Sequence, residues 1–202
     1  MPVLRSSPPS PFGRKVKIAA AELGLADRFA VVMADTADPT DSLRAQNPLG
    51  KIPALVLDDD TVLYDSRVIL EWLDLEAGGG RILPTDRTRR FTALRLQALA
   101  DGLLDAAILI VYEKRFRSEA ERNAAWVAHQ SGKIERALDH LEETCPALDA
   151  PVDVGTIALA CALGYLDLRF DRAWRAARPR LVAWLDAFAA RVPAFEKTRF
   201  QG

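Results

Sequence analysis

Ser10-Pro11-Phe12-Gly13-Arg14-Lys15 is the stretch around which the first half of the chain is organised. It follows a short apolar run, Met1-Pro2-Val3-Leu4, and it opens a run of helical spacing that continues to Leu23. Pro11 has the fixed φ and the missing N–H donor that suit the first position of a helix. Ser10 then falls at the N-cap, where its hydroxyl can satisfy free backbone amides. Because a helix N-terminus also stabilises an anion, Ser10 is either a cap alone or part of an anion site.

The elements around this helix predict a βαβ unit, then a second helix, a hairpin and a third helix. A strand–helix–strand unit favours a parallel pair with a right-handed crossover, and two strands joined by a short polar turn favour a hairpin. The expected order is β-α-β-α-β-β-α. The elements in chain order are a strand from Val3, a helix at 11–23, a strand at 29–33 and a helix at 37–46. Strands at 52–57 and 61–64 follow, and then a helix that begins at Asp65-Ser66.

Two features of this half could contact a ligand: a free stretch of backbone beside Pro53, and a polar helix start at Asp65-Ser66. Pro53 lacks a ladder donor, so it belongs at an edge or at the first residue of a strand, and Ile52 keeps its backbone N–H and C=O free for an extended partner. Asp65 can bind an ammonium group through its carboxylate. Ser66 and the amides of its helix start can bind a carboxylate. The end of an α-amino acid carries both of these groups.

Three motifs occur in order along the chain: Ser10-Pro11-Phe12 before a basic helix, Asn47-Pro48-Leu49-Gly50-Lys51-Ile52-Pro53-Ala54-Leu55, and Leu63-Tyr64-Asp65-Ser66-Arg67-Val68-Ile69. With them the chain resembles the cytosolic glutathione transferases of the serine-type bacterial kind. The resemblance continues through 98–102 and 162–167 and covers almost the whole chain. It implies an α/β thioredoxin-like N-terminal domain at 1–76, a linker at 77–85 and an all-α helical C-terminal domain at 86–202.

The resemblance also implies a role for each motif. Ser10 matches the residue that hydrogen-bonds the glutathione sulfur, and Ser7 is the alternative because Pro8-Pro9 can shift the loop. The proline that matches Pro53 is cis in that family. The residues assigned to glutathione binding are Phe12, Lys51, Ile52, Pro53, Asp65 and Ser66.

The second half is predicted to be helical from Asp86 onward. A long helix is followed by one at about 118–144 with Trp126 inward, by one that Asp153 and Thr156 cap, and by a fourth that Pro193 ends. The linker glycines at 78–80 lack the Lys-Ser pair of a phosphate loop.

Two residues of the long helix have open alternatives. By analogy with the family, Asp101 reaches glutathione across a dimer interface; otherwise it caps or pairs with arginine. Tyr112, like Phe12, either lines the second-substrate pocket or packs in the core.

Composition and spacing exclude several other classes. The formal net charge is −1, with 27 basic and 28 acidic residues, which argues against a nucleic acid or an anionic membrane held mainly by charge. Cys145 and Cys161 form neither a CxxC pair nor a disulfide framework, so we expect a cytoplasmic protein, with Cys161 buried on an apolar stripe. His129 and His140 would lie about 16 Å apart on a helix, too far to share a metal.

The function that follows is that of a glutathione transferase, which uses glutathione as co-substrate and no metal. It would activate the glutathione thiol as a thiolate for attack on a small hydrophobic electrophile, in the manner of a detoxification enzyme. A homodimer is implied by the resemblance alone. The alternatives are a non-catalytic binding or scaffold protein of the same fold and a glutathione-dependent lyase, isomerase or peroxidase.

Overall fold

A computed structural model describes residues 1–200 and has an α/β first half. The order β-α-β-α-β-β-α is confirmed. The elements are β1 (Val3–Ser6), α1 (Pro11–Leu23), β2 (Ala30–Met33), α2 (Leu43–Gln46), β3 (Ala54–Val56), β4 (Val62–Leu63) and α3 (Ser66–Glu76).

The sheet has four strands in the order β2-β1-β3-β4. β1 runs parallel to β2, as the βαβ reading predicts, and antiparallel to β3, which pairs with β4 as a hairpin. The Ile52–Pro53 peptide bond is cis, as the resemblance implies. β3 begins only at Ala54, because Pro53 has no N–H to give to the ladder. Ile52 therefore lies just outside the registered part of the sheet.

The predicted helix at 37–46 is confined to the four residues of α2. Aspartate side chains hold the preceding residues in turns instead. The carboxylate of Asp41 accepts from the N–H groups of Asp35 and Leu43, both within 2.8 Å, and that of Asp38 accepts from the N–H of Thr40. Short polar side chains that bond to nearby amides in this way compete with helix formation.

One buried carboxylate organises the segment between the two halves. The side chain of Asp74, near the end of α3, accepts hydrogen bonds from the amides of Gly80, Arg81 and Ile82 at 2.7, 2.9 and 2.8 Å. The glycines at 78–80 have φ values of +96°, +78° and +76°, a region that favours glycine. The glycine-rich segment thus wraps a carboxylate of its own chain.

Up to residue 200, the second half is built from five α-helices. They are α4 (Arg87–Phe116), α5 (Ala124–Glu143), α6 (Val154–Arg169), α7 (Pro179–Arg191) and α8 (Pro193–Lys197). α6 is buried along most of its length and packs against both α1 and α4. The two halves therefore share one apolar core, which includes Val16 and Ile69 from the first half and Leu104 and Ile157 from the second. Pro193 follows the end of α7, but it also begins α8.

The start of the second helix of this half differs from the prediction. A short 3-10 turn occupies Glu119–Glu121, and α5 begins only after Asn123, whose side chain accepts from the N–H of Trp126 at 3.0 Å. The prediction that Trp126 points inward is wrong, because its side chain is 41% exposed and stacks on His129. The buried face of α5 begins at Gln130, so the first turn extends past the core.

The cap of α6 has the residue types of a usual capping box in reversed order, with the acidic residue first and the threonine three positions later. Thr156 N–H donates to Asp153 Oδ1 and Asp153 N–H donates to Thr156 Oγ1, each at 2.9 Å. These are the two reciprocal bonds of a capping box. Further along this helix Cys161 is 1% exposed, which confirms its place in the core, and burial raises the pKa of its thiol to about 11. Across residues 1–200, no helix is long and apolar enough to cross a membrane.

Candidate active site

The Ser10 hydroxyl caps α1 and keeps its proton available. The hydroxyl oxygen accepts a hydrogen bond from the backbone N–H of Gly13 at 3.1 Å, and the backbone N–H of Ser10 donates to the carbonyl of Ser7 at 3.1 Å. A hydroxyl has one donor and two acceptor positions, so capping uses acceptor capacity only. No acceptor among residues 1–200 takes the hydroxyl proton, so it is available to a ligand beyond the positive end of the helix dipole.

The backbone beneath Ser10 is closely packed. A Cβ at Gly13 would collide with Ser6 Oγ and would lie 3.4 Å from Ser10 Oγ, so this position requires glycine. Ser6 is 1% exposed and its Oγ has no hydrogen-bond partner within residues 1–200. The end of β1 and the first turn of α1 are therefore in direct contact, which fixes where the Ser10 side chain lies.

A second cluster lies at the start of α3. The Asp65 carboxylate caps this helix by accepting from the N–H of Arg67 at 3.0 Å, and its Oδ2 pairs with Arg67 Nη2 at 2.8 Å. The hydrogen bonds from Arg67 lower the pKa of Asp65, so this half-exposed carboxylate stays charged into acidic solution. Ser66 beside it is 2% exposed.

A fully buried lysine lies behind Ser66. Lys15 Nζ donates to Ser66 Oγ at 3.1 Å and pairs with Asp101 Oδ1 at 2.6 Å. Burial raises the pKa of Asp101, while the adjacent Lys15 ammonium acts in the opposite direction. Because Lys15 donates, the Ser66 oxygen is used as an acceptor and its proton is left for a ligand. One ammonium group thus connects α1, α3 and α4.

The turn before the cis proline is held by one amide side chain. Asn47, which is 2% exposed, donates from Nδ2 to the carbonyl of Lys51 at 2.8 Å and accepts from the N–H of Leu49 at 3.1 Å. Gly50 has φ +60°, which this tight turn requires. The backbone of Lys51 and Ile52 is therefore fixed in position, while the Lys51 side chain is exposed.

The remaining predicted residues lie around these clusters. The ring of Phe12 packs on the core, with its centroid 5.5 Å from Lys15 Nζ. Tyr112 on α4 is 40% exposed and its ring is 5.2 Å from that of Phe116. The Asp101 carboxylate contacts Lys15 of its own chain, so a cross-subunit contact with glutathione stays a prediction. No group of three or more His, Cys, Asp or Glu side chains in the described part of the chain is placed to hold a metal ion.

Lys15 and Asn47 are the two residues of this region whose role sequence reasoning missed. Lys15 stands in a basic helix, where a solvated lysine is the ordinary expectation. Its sequence neighbours give no contrary signal, because Arg14 and Lys17 are also basic, and its burial follows from its contacts with α3 and α4. Asn47 lies in the turn before Pro53, and its side chain holds that turn through the hydrogen bond to the carbonyl of Lys51.

Comparisons with known proteins agree with this architecture. Residues 9–76 match the glutathione S-transferase N-terminal domain, and residues 124–187 match the C-terminal domain. The chain is 34% identical over 187 residues to the uncharacterized GST-like protein YibF of Escherichia coli (strain K12). The aligned region covers 90% of this chain and 91% of that protein.

Two solved structures are also similar over 100% of both chains, with 41% identity. Both are of a glutathione transferase family member from Pseudomonas fluorescens Pf-5. One contains glutathione and superposes with a TM-score of 0.93. The other contains S-(propanoic acid)-glutathione and superposes with a TM-score of 0.89.

Proposed function

The chain belongs to the glutathione S-transferase family, and from that premise we propose that it binds glutathione and activates its thiol for attack on a small electrophile. The observation that carries the proposal is the Ser10 hydroxyl, whose oxygen caps α1 while its proton stays free. Glutathione-bound structures of a 41% identical protein support the same ligand here.

The thiol of glutathione resembles that of free cysteine, with a pKa of about 8.5, so only a few per cent is thiolate at neutral pH. A hydrogen bond from Ser10, together with the helix dipole, favours the anion. A fall of about two pH units in the thiol pKa corresponds to about 2.7 kcal/mol. The thiolate then forms a carbon–sulfur bond with the electrophile, and the leaving group departs with its electron pair.

The γ-glutamyl end of the tripeptide fits the start of α3. Its ammonium group pairs with the Asp65 carboxylate, and its carboxylate accepts from the Ser66 hydroxyl, which Lys15 orients. The fixed backbone of Ile52 beside the cis Pro53 binds the cysteinyl part, and Lys51 lies near enough in sequence to assist.

Oligomeric state, location and domain division are part of the same proposal. A homodimer, which is typical of the family, is supported by large apolar side chains left exposed on α3 and α4: Val68, Leu75 and Phe91 at 45%, 67% and 62%. Analytical ultracentrifugation tests it, and a monomer at micromolar concentration would exclude it.

The two unpaired cysteines support a cytoplasmic location. Residues 1–76 and 86–202 are proposed as the two domains.

The test compares two serines of the same loop. Ser10→Ala should lower kcat/KM for glutathione conjugation at pH 7 by about 25-fold, because a thiol pKa of about 8.5 instead of about 6.5 reduces the thiolate fraction from about 76% to about 3%. Ser7→Ala is the matched control and should stay within about twofold, because Ser7 contacts Ser10 through its backbone carbonyl, which alanine keeps. Ser10→Thr keeps the hydroxyl and should recover part of the activity.

Two results would change the assignment. If Ser7→Ala is the damaging substitution, the sulfur contact belongs to Ser7. If calorimetry detects no glutathione binding at millimolar ligand, the non-catalytic scaffold is favoured. Binding without conjugation, together with turnover in a lyase, isomerase or peroxidase assay, would favour those reactions instead.

A further inference from the structure

A cleft opens beside Ser10 on the side of α1 that faces the helical half. It has a volume of about 200 Å³ and lies between the loop at Pro8–Pro11, α6 and the last described residues. This is below the range of about 300–1,000 Å³ that suits a drug-sized ligand, so an occupant must be small. Ser10 lines the cleft, so the cleft adjoins the position proposed for the glutathione sulfur, whereas Lys15 and its partners Ser66 and Asp101 do not line it.

The cleft has an excess of positive charge. Arg14, Arg172 and Arg199 line it, whereas Asp167 is the one carboxylate that residues 1–200 contribute to the lining. The two oxygens of Asp167 are already used by Arg175, whose Nε and Nη2 lie 2.9 and 2.6 Å away, and by the indole N–H of a neighbouring tryptophan at 2.9 Å. The whole chain has a formal net charge of −1, so this positive charge is a local feature.

Arg14 is held in place at the bottom of this cleft. Its Nη2 donates to the carbonyl of Phe195 at 2.5 Å, and its guanidinium carbon lies 4.0 Å from the centroid of the Phe195 ring. A Cβ at Gly164 of α6 would lie 2.6 Å from Arg14 Nη1, so the absence of a side chain there admits the guanidinium. The charge is therefore fixed beside Ser10 rather than free to leave into solvent.

The other two arginines can reach a ligand. Arg172 and Arg199 are exposed. Arg199 pairs with Glu196 at 2.6 Å, but both side chains are about half exposed, at 45% and 48%. A surface pair of this kind contributes little, so a ligand carboxylate can replace Glu196 at small cost. Two guanidinium groups that face one small cleft suit a planar anion, which arginine binds through two parallel N–H donors.

We propose that this cleft binds a carboxylate of the second substrate, so that the preferred electrophile is a small organic acid rather than a neutral hydrophobic molecule. The reactive carbon lies at the glutathione sulfur beside Ser10, and the carboxylate lies against Arg172 and Arg199 over the fixed charge of Arg14. The inference rests on the proposed transferase function and names the substrate class of that site.

The experiment uses two electrophiles of the same shape, 4-chloro-3-nitrobenzoate and 4-chloro-3-nitrobenzamide. With either one the glutathione thiolate attacks the carbon that bears chlorine, the carbon–sulfur bond forms, the carbon–chlorine bond breaks, and chloride leaves with the electron pair. Each kcat/KM is divided by the uncatalysed rate constant with glutathione. We expect this ratio to favour the acid by about tenfold, the value of one charge-assisted hydrogen bond.

Arg172→Gln and Arg199→Gln should each lower the ratio for the acid by about five- to tenfold and leave that for the amide within about twofold. Arg122→Gln removes the same charge from an exposed position outside the cleft and should change neither. Equal ratios for acid and amide in the wild type, or an equal response of both to Arg172→Gln, would overturn the inference while leaving the transferase function intact.

A binding arm decides the inference even if neither electrophile is conjugated, a result that would count against the transferase function. The two products, S-(4-carboxy-2-nitrophenyl)glutathione and its carboxamide, are titrated by calorimetry. We expect the wild type to bind the carboxy product about tenfold more tightly, and Arg172→Gln to abolish the difference. Equal affinity of the wild type for the two products contradicts the proposed carboxylate subsite.

Discussion

Helices α1 and α3 both begin with an oxygen-bearing cap, but the groups behind the two caps differ. At α1 the Ser10 hydroxyl and N–H bond to backbone groups of the same loop and helix. At α3 the Asp65 carboxylate is bound by Arg67, and the adjacent Ser66 is held from behind by the ammonium group of Lys15. One helix start is built from neutral groups and the other from charges.

This difference separates activation of the thiol from binding of the tripeptide. A neutral hydroxyl at the positive end of a helix stabilises a single anion that forms only when the thiol ionises. At α3, the Asp65 carboxylate and the Ser66 hydroxyl, which Lys15 contacts from behind, suit a group that carries an ammonium and a carboxylate together. The γ-glutamyl end of glutathione is such a group. Changes at α1 should therefore alter kcat and the thiol pKa, and changes at α3 should alter the affinity for glutathione.

The largest effect should come from Lys15, which supports α3 from α1. Lys15→Met leaves the Asp101 carboxylate buried without its cation, and removal of one partner of a buried pair costs about 3–5 kcal/mol. Urea unfolding measures this loss. We also expect glutathione affinity to fall by at least about tenfold, because Ser66 loses the donor that orients its hydroxyl.

A double variant separates these two consequences. Lys15→Met combined with Asp101→Asn removes the uncompensated charge and should recover part of the free energy of unfolding. It should not recover glutathione affinity, because the Ser66 hydroxyl remains without its support. If the double variant restored both properties, Lys15 would be only a structural partner of Asp101.

The next effect distinguishes the two helix starts by steady-state kinetics. Ser66→Ala removes a hydrogen bond made to glutathione in both ground and transition states, so KM for glutathione should rise about tenfold with kcat within about twofold. Ser10→Ala should lower kcat with a much smaller change in KM. The separation fails if both substitutions alter the same constant.

The smallest effect concerns the ionisation of Asp65. Arg67 lowers its pKa, so the carboxylate stays charged at neutral pH and its contribution to stability is lost only as pH falls through the lowered value. Titration by carboxyl-carbon NMR should give a midpoint below the ordinary value of about 3.9. Arg67→Gln should move the midpoint up toward that value, and Asp65→Asn identifies the resonance. An unchanged midpoint in Arg67→Gln would assign the effect to another group.

Local pattern determined most of what could be predicted from sequence. The order of strands and helices follows from periodicity and turn residues, and the Asp153–Thr156 cap follows from residue types three apart. The two helix starts were also visible as a serine before proline and as Asp65-Ser66. These features depend on contacts within a few residues.

What the sequence hid depends on contacts between distant residues. Lys15 bonds to residues 51 and 86 positions away, and no local rule marks a lysine in a basic helix as buried. The spacing of apolar residues in α5 places Trp126 on the inward face, but the part of that face that is buried begins only at Gln130. The carboxylate of Asp74 binds amides six to eight residues away, because three glycines turn the chain back on it.

The most direct test of the central account is the titration of the thiol in the bound complex, followed by the ultraviolet absorbance of the thiolate. We expect the pKa of the glutathione thiol to fall from about 8.5 in free solution to about 6.5 on the wild-type protein. In saturated Ser10→Ala it should return to within about half a pH unit of the free value. A wild-type complex whose thiol titrates as in free glutathione, or a lowered value that Ser10→Ala leaves unchanged, would contradict the role assigned to Ser10.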